Sequence, residues 1–255
     1  MKRVVLNYLV IAALAVAGVF TSCDKNDDDN GNNNDNVLLP KTVTNINPHF
    51  YSRYEYEYDN QNRITKIFRY YNHEYFLEEA ELDQIQTFSY IGDDFVKVVE
   101  ERYGTTTVEI TKSGNKINVA RKYSSGEVYY TATMDLDNDG YPTKRESSFT
   151  FGTNNWEIHT YQFQNSNLMM QSIARGNGPD GDYEFTYDNK KSPFFYCKTP
   201  KWVMINLWEY DISKSNMVKM NGFTLYEYEY NDEFPIKRTT KNNDAPQTLT
   251  EFKYK

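Results

Sequence analysis

From Val37 onward, apolar and polar side chains alternate with a period of two. The clearest run is Tyr54-Glu55-Tyr56-Glu57-Tyr58, followed by Asp59-Asn60-Gln61-Asn62 and a second alternating run that ends at Ile67. The phrase returns at 226–240, where Tyr226, Tyr228 and Tyr230 alternate with Glu227 and Glu229. Weaker copies occupy 88–100, 108–122, 132–148, 161–175 and 183–197. A period of two places alternate side chains on opposite faces of a strand. Asn, Asp and Gly between two such runs tolerate the left-handed backbone of a tight hairpin. The unit is therefore a β-hairpin used many times.

Copies separated by about 20 to about 40 residues are too uneven for a solenoid. Serial hairpins predict an all-β fold, an antiparallel up-and-down meander that is strongly curved or closed into a barrel-like sheet to hide its edges. Roughly 12 to 16 strands fit the length, with Tyr and Phe on one face and Glu, Lys, Arg and Thr on the other. Two stretches depart from the rhythm. Leu77, Ala80, Gln84 and Ile85 fall at helical spacing within 74–87 and admit a short helix. In 189–225, Pro193 and Pro200 bar a central strand, and Trp202 and Trp208 add bulk; a long connection folding over an open end or edge of the sheet is expected.

The N-terminal 36 residues follow another pattern. Lys2 and Arg3 precede an apolar stretch from Val4 to Phe20, too short for an ordinary membrane span and built like an export signal. It ends Phe20-Thr21-Ser22-Cys23, which resembles a bacterial lipobox with Phe in place of the usual Leu. The resemblance implies a signal peptide at 1–22 and lipid attachment at Cys23, with membrane affinity supplied by buried acyl CH₂ groups at about 0.8 kcal/mol each. Residues 23–36 then hold the lipidated Cys and an acidic, Asn-rich tract without apolar side chains, which reads as a flexible tether. Asp24, Asp27, Asp28 and Asp29 resemble the acidic export signal of Bacteroidetes-type lipoproteins. An outer-membrane lipoprotein displayed at the cell surface is expected, with a periplasm-facing one as the alternative. Residues 37–255 are expected to form a single β-meander domain.

Composition narrows the function. The chain carries 28 Lys and Arg against 36 Asp and Glu, a net charge of −8; loss of Lys2 and Arg3 with the signal would take it to −10. An acidic balance argues against a nucleic-acid partner. Two Cys cannot build a disulfide scaffold, and with Cys23 lipidated Cys197 is left alone, reading as a small buried hydrophobe. Tyr (23), Phe (15) and Trp (3) make 16% of the chain aromatic. A concave Tyr-rich face suits a glycan or a small amphipathic ligand, while the same rings can simply fill a core.

Several motifs match on paper. Asp135, Asp137 and Asp139, with Gly140 and then Glu146, satisfy the EF-hand loop pattern and would supply carboxylates to Ca²⁺. The flanking runs alternate as strands and Pro142 interrupts the loop, so a hairpin turn at Asn138-Asp139-Gly140 is the favoured reading. No other cofactor is expected. Gly176-Asn177-Gly178-Pro179-Asp180-Gly181 matches a dinucleotide fingerprint but precedes a strand rather than a helix, which makes it a loop. His49, His73 and His159 have no metal-ligand spacing and read as structural or surface residues. Glu55/Glu57 and Glu227/Glu229 are carboxylate pairs at spacing two, as on any polar strand face; a glycan-active hydrolase is the remote alternative.

The order of these elements, with Lys191-Ser192-Pro193-Phe194, then Ser213-Lys214-Ser215-Asn216-Met217-Val218-Lys219, then the hairpin from Tyr226 to Arg238, resembles a family of uncharacterised Bacteroidetes-type lipoproteins with a porin-like fold and Tyr-Asp-type hairpin repeats. The likeness covers most of residues 45–255. Asp139-Gly140-Tyr141-Pro142 keeps the family's turn, which is Asp232-Glu233-Phe234-Pro235 in the last hairpin. The resemblance implies a fold and supplies no catalytic residues. The expected function is a non-catalytic binding or interaction role on the envelope, with a purely structural component as the alternative. The expected partners are the membrane, through the lipid, and such a ligand at a site the sequence does not locate; a monomer is expected.

Overall fold

In the computed structural model, residues 37–72, 80–151, 155–207, 212–242 and 245–255 are described, and Val37–Lys255 form one compact unit. The strands are β1 (Pro40–Asn47), β2 (Phe50–Tyr58), β3 (Ile64–Asn72), β4 (Glu81–Ile91), β5 (Phe95–Glu101), β6 (Thr105–Ser113), β7 (Lys116–Tyr123) and β8 (Val128–Leu136). They continue as β9 (Pro142–Phe149), β10 (Trp156–Gln164), β11 (Asn167–Arg175), β12 (Gly181–Lys191), β13 (Ser215–Met220), β14 (Thr224–Asn231), β15 (Phe234–Asn242) and β16 (Ala245–Tyr254), with one helix, α1 (Lys201–Leu207), between β12 and β13. Every strand pairs antiparallel with its chain neighbours, and β1 pairs with β16 from Pro40↔Tyr254 to Ile46↔Leu249, closing the barrel. The expected up-and-down meander is therefore a closed barrel of 16 strands.

Six of the seven hairpin phrases are hairpins, and their turns gather at one end of the barrel. These turns need left-handed backbone and the sequence provides for it: Gly114 at φ 59° and Asn165 at φ 50° are examples. The phrase at 183–197 is the exception. Its first half is β12, but Phe194–Cys197 is not a strand. The connection proper is 192–214, shorter than the expected 189–225, because β13 and β14 begin at Ser215 and Thr224. The short helix that the spacing admits within 74–87 is corrected over its described part. Glu81–Ile91 is strand β4, in which Gln84 and Ile85 pair with Arg69 and Phe68; ladder pairing overrides the helical spacing there. Leu77 and His73 lie outside the described residues.

A 16-strand barrel is wide enough to leave an aqueous channel unless something fills it. Here the connection fills it. Pro200 opens α1, its carbonyl accepting from the amides of Val203 and Met204. Trp202, Val203, Met204 and Ile205 are buried on every side of the short helix. Phe194, Cys197 and Ile212 are buried with them, against inward residues such as Ile64, Ile67, Val98, Val108, Ile110 and Ile117. The Arg121 Nη2 reaches from β7 to the Asn206 carbonyl at 3.3 Å, a cation at the C-terminal end of the helix where the backbone dipole favours it. The connection is thus a plug inside the lumen rather than a cover over an end.

The outward positions are polar. Glu109 pairs with Lys122 at 2.6 Å, Lys116 with Asp135 at 2.7 Å, Glu227 with Lys241 at 2.6 Å and Glu229 with Lys237 at 2.9 Å. Each pair joins neighbouring strands on the wet face, where such contacts are worth about 0.2–1 kcal/mol.

Candidate functional site

The inner Tyr residues do a specific structural job. At the plug end, β1, β3, β11, β13 and β15 each carry a β-bulge against the preceding strand around the barrel. A bulge leaves ladder groups unpaired. In each case a Tyr from the next strand donates its hydroxyl to a carbonyl at the bulge: Tyr58 to Pro40 at 2.9 Å, Tyr90 to Ile64 at 2.7 Å, Tyr187 to Leu168 at 2.7 Å, Tyr228 to Met217 at 2.8 Å and Tyr254 to Pro235 at 2.7 Å. Burial raises the Tyr58 and Tyr254 phenols far above their ordinary value and pushes Tyr90 up to about 12. The hydroxyls of Tyr58, Tyr90 and Tyr254 stay protonated donors at physiological pH. The rings fill a wide lumen and the hydroxyls repair its ladder.

Away from the plug end, the lumen wall turns polar. His159 is 2% exposed on β10. Its Nε2 lies 3.0 Å from Arg145 Nη2 and 3.1 Å from Glu157 Oε2, and its Nδ1 lies 2.8 Å from the Gln171 side-chain amide. Arg175 Nε donates to Glu157 Oε1 at 2.9 Å. Burial alone would raise the Glu157 carboxyl, but the hydrogen bonds from His159 and Arg175 outweigh it and hold the group below the usual range. Further round, Asp83 accepts from Arg102 at 3.0 Å, and Gln86 donates to Glu100 at 2.9 Å. The inner face carries Arg69, Arg121, Arg145, Arg175 and Arg238 in a chain whose net charge is −8. These arginines are met by inner acids, Arg69 by Asp83, Arg121 by Glu100 and Arg175 by Glu157. A hydrolytic pair would need one carboxyl with a raised pKa; among the described residues the carboxyls that shift, Asp59, Glu157 and Glu233, shift down.

Two cavities bordered by described residues stand out. One, of about 360 Å³, is a groove on the outer face of β8–β10 beside Trp156, Thr133, Glu146 and Ser148. The other, of about 420 Å³, lies at the plug end between the barrel wall and the start of the plug. Arg63 and Lys112 face it from the wall and Lys198 from the plug, with Tyr90 and Trp202 as its aromatic lining. The Arg63 guanidinium lies 4.3 Å over the Tyr90 ring, and its Nε meets Asp59 at 2.8 Å. Next to it, burial holds the Lys201 amine below its ordinary value, against an opposing effect of Cys197 and with a smaller lowering from the Lys198 charge. The cavity was not legible in the sequence because Lys112 and Lys198 meet only once the plug is seated in the barrel, and the His159 cluster was not because it takes the register of β9, β10 and β11 to gather Arg145, Gln171 and Arg175 around the ring.

The residues singled out from sequence fall as follows. Cys23, Asp24, Asp27, Asp28 and Asp29 lie outside the described residues. Asp135 pairs with Lys116, Glu146 with Lys144, and Asp137 Oδ1 accepts the amides of Asp139 and Tyr141 at 3.0 and 2.8 Å. Asp137 thus stabilises its own hairpin turn, with Gly140 at φ 79°. Among the described residues, no group of three or more His, Cys, Asp or Glu is placed to hold a metal ion. Gly176–Gly181 connects β11 to β12, and there Asp180 accepts the Arg175 amide at 2.9 Å. Cys197 is a buried free thiol, its pKa raised by burial, and His49 is exposed. Glu227 and Glu229 face outward in the ion pairs above, and Glu55 lies 3.1 Å from Arg53.

No family model matches the sequence and no curated protein does. Among solved structures, the chain is similar to a porin-like protein from Bacteroides uniformis, with a TM-score of 0.58 and 11% identity over 84% of this chain and 96% of that one. A porin-like protein from Bacteroides vulgatus gives a TM-score of 0.48 and 13% identity over 85% and 99%. The first likeness is one of fold: the chain is a porin-like antiparallel β-barrel.

Proposed function

We propose that the chain is an outer-membrane lipoprotein whose filled barrel stands in water beside the bilayer, in a non-catalytic interaction or structural role. The observation that carries this reading is the orientation of the strands. A barrel that spans a membrane presents an apolar band about 25 Å tall to lipid and keeps polar residues inside. Here Val98, Val108, Ile110, Ile117 and Met134 are buried inward, while Lys97, Glu109, Lys122 and Lys144 face out. Charges at the lipid midplane cost about 2–4 kcal/mol each. Attachment then falls to the lipid on Cys23, and the acidic run from Asp24 to Asp29 serves as the address to the cell surface. The inner aromatics are committed to core and bulge repair, which weighs against a glycan stacked on a concave Tyr face and favours the interaction or structural role.

Palmitate labelling of the full chain and of Cys23→Ser tests the anchor. Labelling of the first, none of the second, and release of the variant from the outer-membrane fraction are expected. Protease shaving of intact cells tests display: survival of the full-length protein until the envelope is broken would contradict it. Ion conductance by the purified chain in a planar bilayer would contradict the filled, non-spanning barrel.

A further inference from the structure

We infer that the plug-end cavity is a binding site for a small oxyanion-bearing ligand, with Lys112 and Lys198 as the anion-holding residues. Lys112 is on β6 at the same parity as inward-facing Val108 and Ile110, so its amine sits at the lumen rim where an apolar side chain would continue the core. Lys112 is half-buried, where an ammonium is costly unless paired, yet among the described residues neither it nor the exposed Lys198 meets a carboxylate. Arg63 adds a third cation. Its Nε is held by Asp59 and its plane by Tyr90, so the guanidinium is fixed at the cavity wall. Asp93 is the acid that lines the cavity, too few to neutralise the two amines.

The size matches the charge. About 420 Å³ falls within the roughly 300–1,000 Å³ of small-molecule sites, and holds a sugar-sized body as well as an oxyanion. Two ammonium groups act as point charges and accept phosphate, sulfate or carboxylate without bidentate geometry. Tyr90, whose hydroxyl is spent on Ile64, and Trp202 supply its aromatic lining. The site joins a barrel wall to the plug, so both halves must be in place to form it. It does not depend on the lipid anchor or on where the protein is displayed.

Calorimetric titration of the full chain in detergent, with inorganic phosphate, glucose 6-phosphate, glucuronate and neutral glucose, tests the assignment. Saturable binding of at least one of the three anions and none of glucose is expected, the three arms telling which oxyanion and whether a ring contributes. Lys112→Gln and Lys198→Gln should each weaken that binding at least about tenfold, as loss of a charge-assisted contact does, while Lys97→Gln on the outer face leaves it unchanged. Lys198 is exposed, so its variant keeps the fold and the unchanged thermal midpoint verifies it. No saturable binding of any anion, equal affinity for glucose, or undiminished binding in both lysine variants would overturn the inference.

Discussion

At the residue scale, the Tyr residues are explained by two needs at once. A wide lumen demands large rings, and bulged strands demand a donor for the carbonyls they release. Phe meets the first need alone. Replacing Tyr58 by Phe keeps the ring and leaves the Pro40 carbonyl without the donor it now has at 2.9 Å. A loss of about 1–2 kcal/mol is expected, read as a lower urea midpoint at constant m-value, whereas Glu55→Gln on the outer face should stay within about 0.5 kcal/mol. The His159 cluster makes a pH prediction. Glu157 is held below its ordinary value of 4.5 by His159 and Arg175, so its contribution is complete above that value and is lost as pH falls through the lower folded pKa. Urea midpoints measured from pH 6 downward should fall more shallowly in Glu157→Gln than in the parent below about pH 4.5. An identical acid limb in the two proteins would place the coupling elsewhere.

At the element scale, the plug is the most consequential feature. Ile205 is 0% exposed within it, and Ile205→Ala should cost about 2–5 kcal/mol through lost burial and a cavity. Ile91, 66% exposed at the turn end of β4, serves as the comparison and should tolerate Ala within about 0.5 kcal/mol. The hairpins were legible because alternation and turn residues are local signals: Asn62, Gly92, Gly114 and Gly140 all take the left-handed backbone that their turns require. What local signals cannot carry is where an apolar run is buried. Trp202-Val203-Met204-Ile205 reads equally as a helix, a strand or a flap, and only the width of the closed barrel makes it a plug. The phrase at 183–197 misleads for the same reason. Its Asp-Asn-Lys-Lys resembles a turn, yet β12 runs on to Lys191 and Ser192 Oγ donates to the Ser213 carbonyl at 2.7 Å, tying the two ends of the connection together. The anion cavity is less legible still, since Lys112 reads as one more polar residue of an alternating strand.

For the whole molecule, closure through β1 and β16 converts a local alternation into an inside and an outside. The expectation of a Tyr and Phe face opposite a Glu, Lys, Arg and Thr face holds for β2 and β14, but β5 to β7 bury Val and Ile instead and five arginines point inward; alternation alone is also silent on which face meets water. Burial answers it: the apolar set points in, and the charged set is paired in ladders on the surface. The lumen is nonetheless not uniform, with an apolar half around the plug and an arginine-rich wall beyond it. That inside-out relation to a membrane-spanning barrel is the centre of this account, and cysteine accessibility tests it most directly. In the full chain reconstituted into lipid vesicles, single Cys residues placed mid-strand at outward Glu109 and Thr133 should react rapidly with a water-soluble maleimide, and those at inward Val108 and Met134 should not react until the protein is unfolded. Protection of the outward pair by lipid, together with reaction of the inward pair, would describe a water-filled membrane pore and contradict the account.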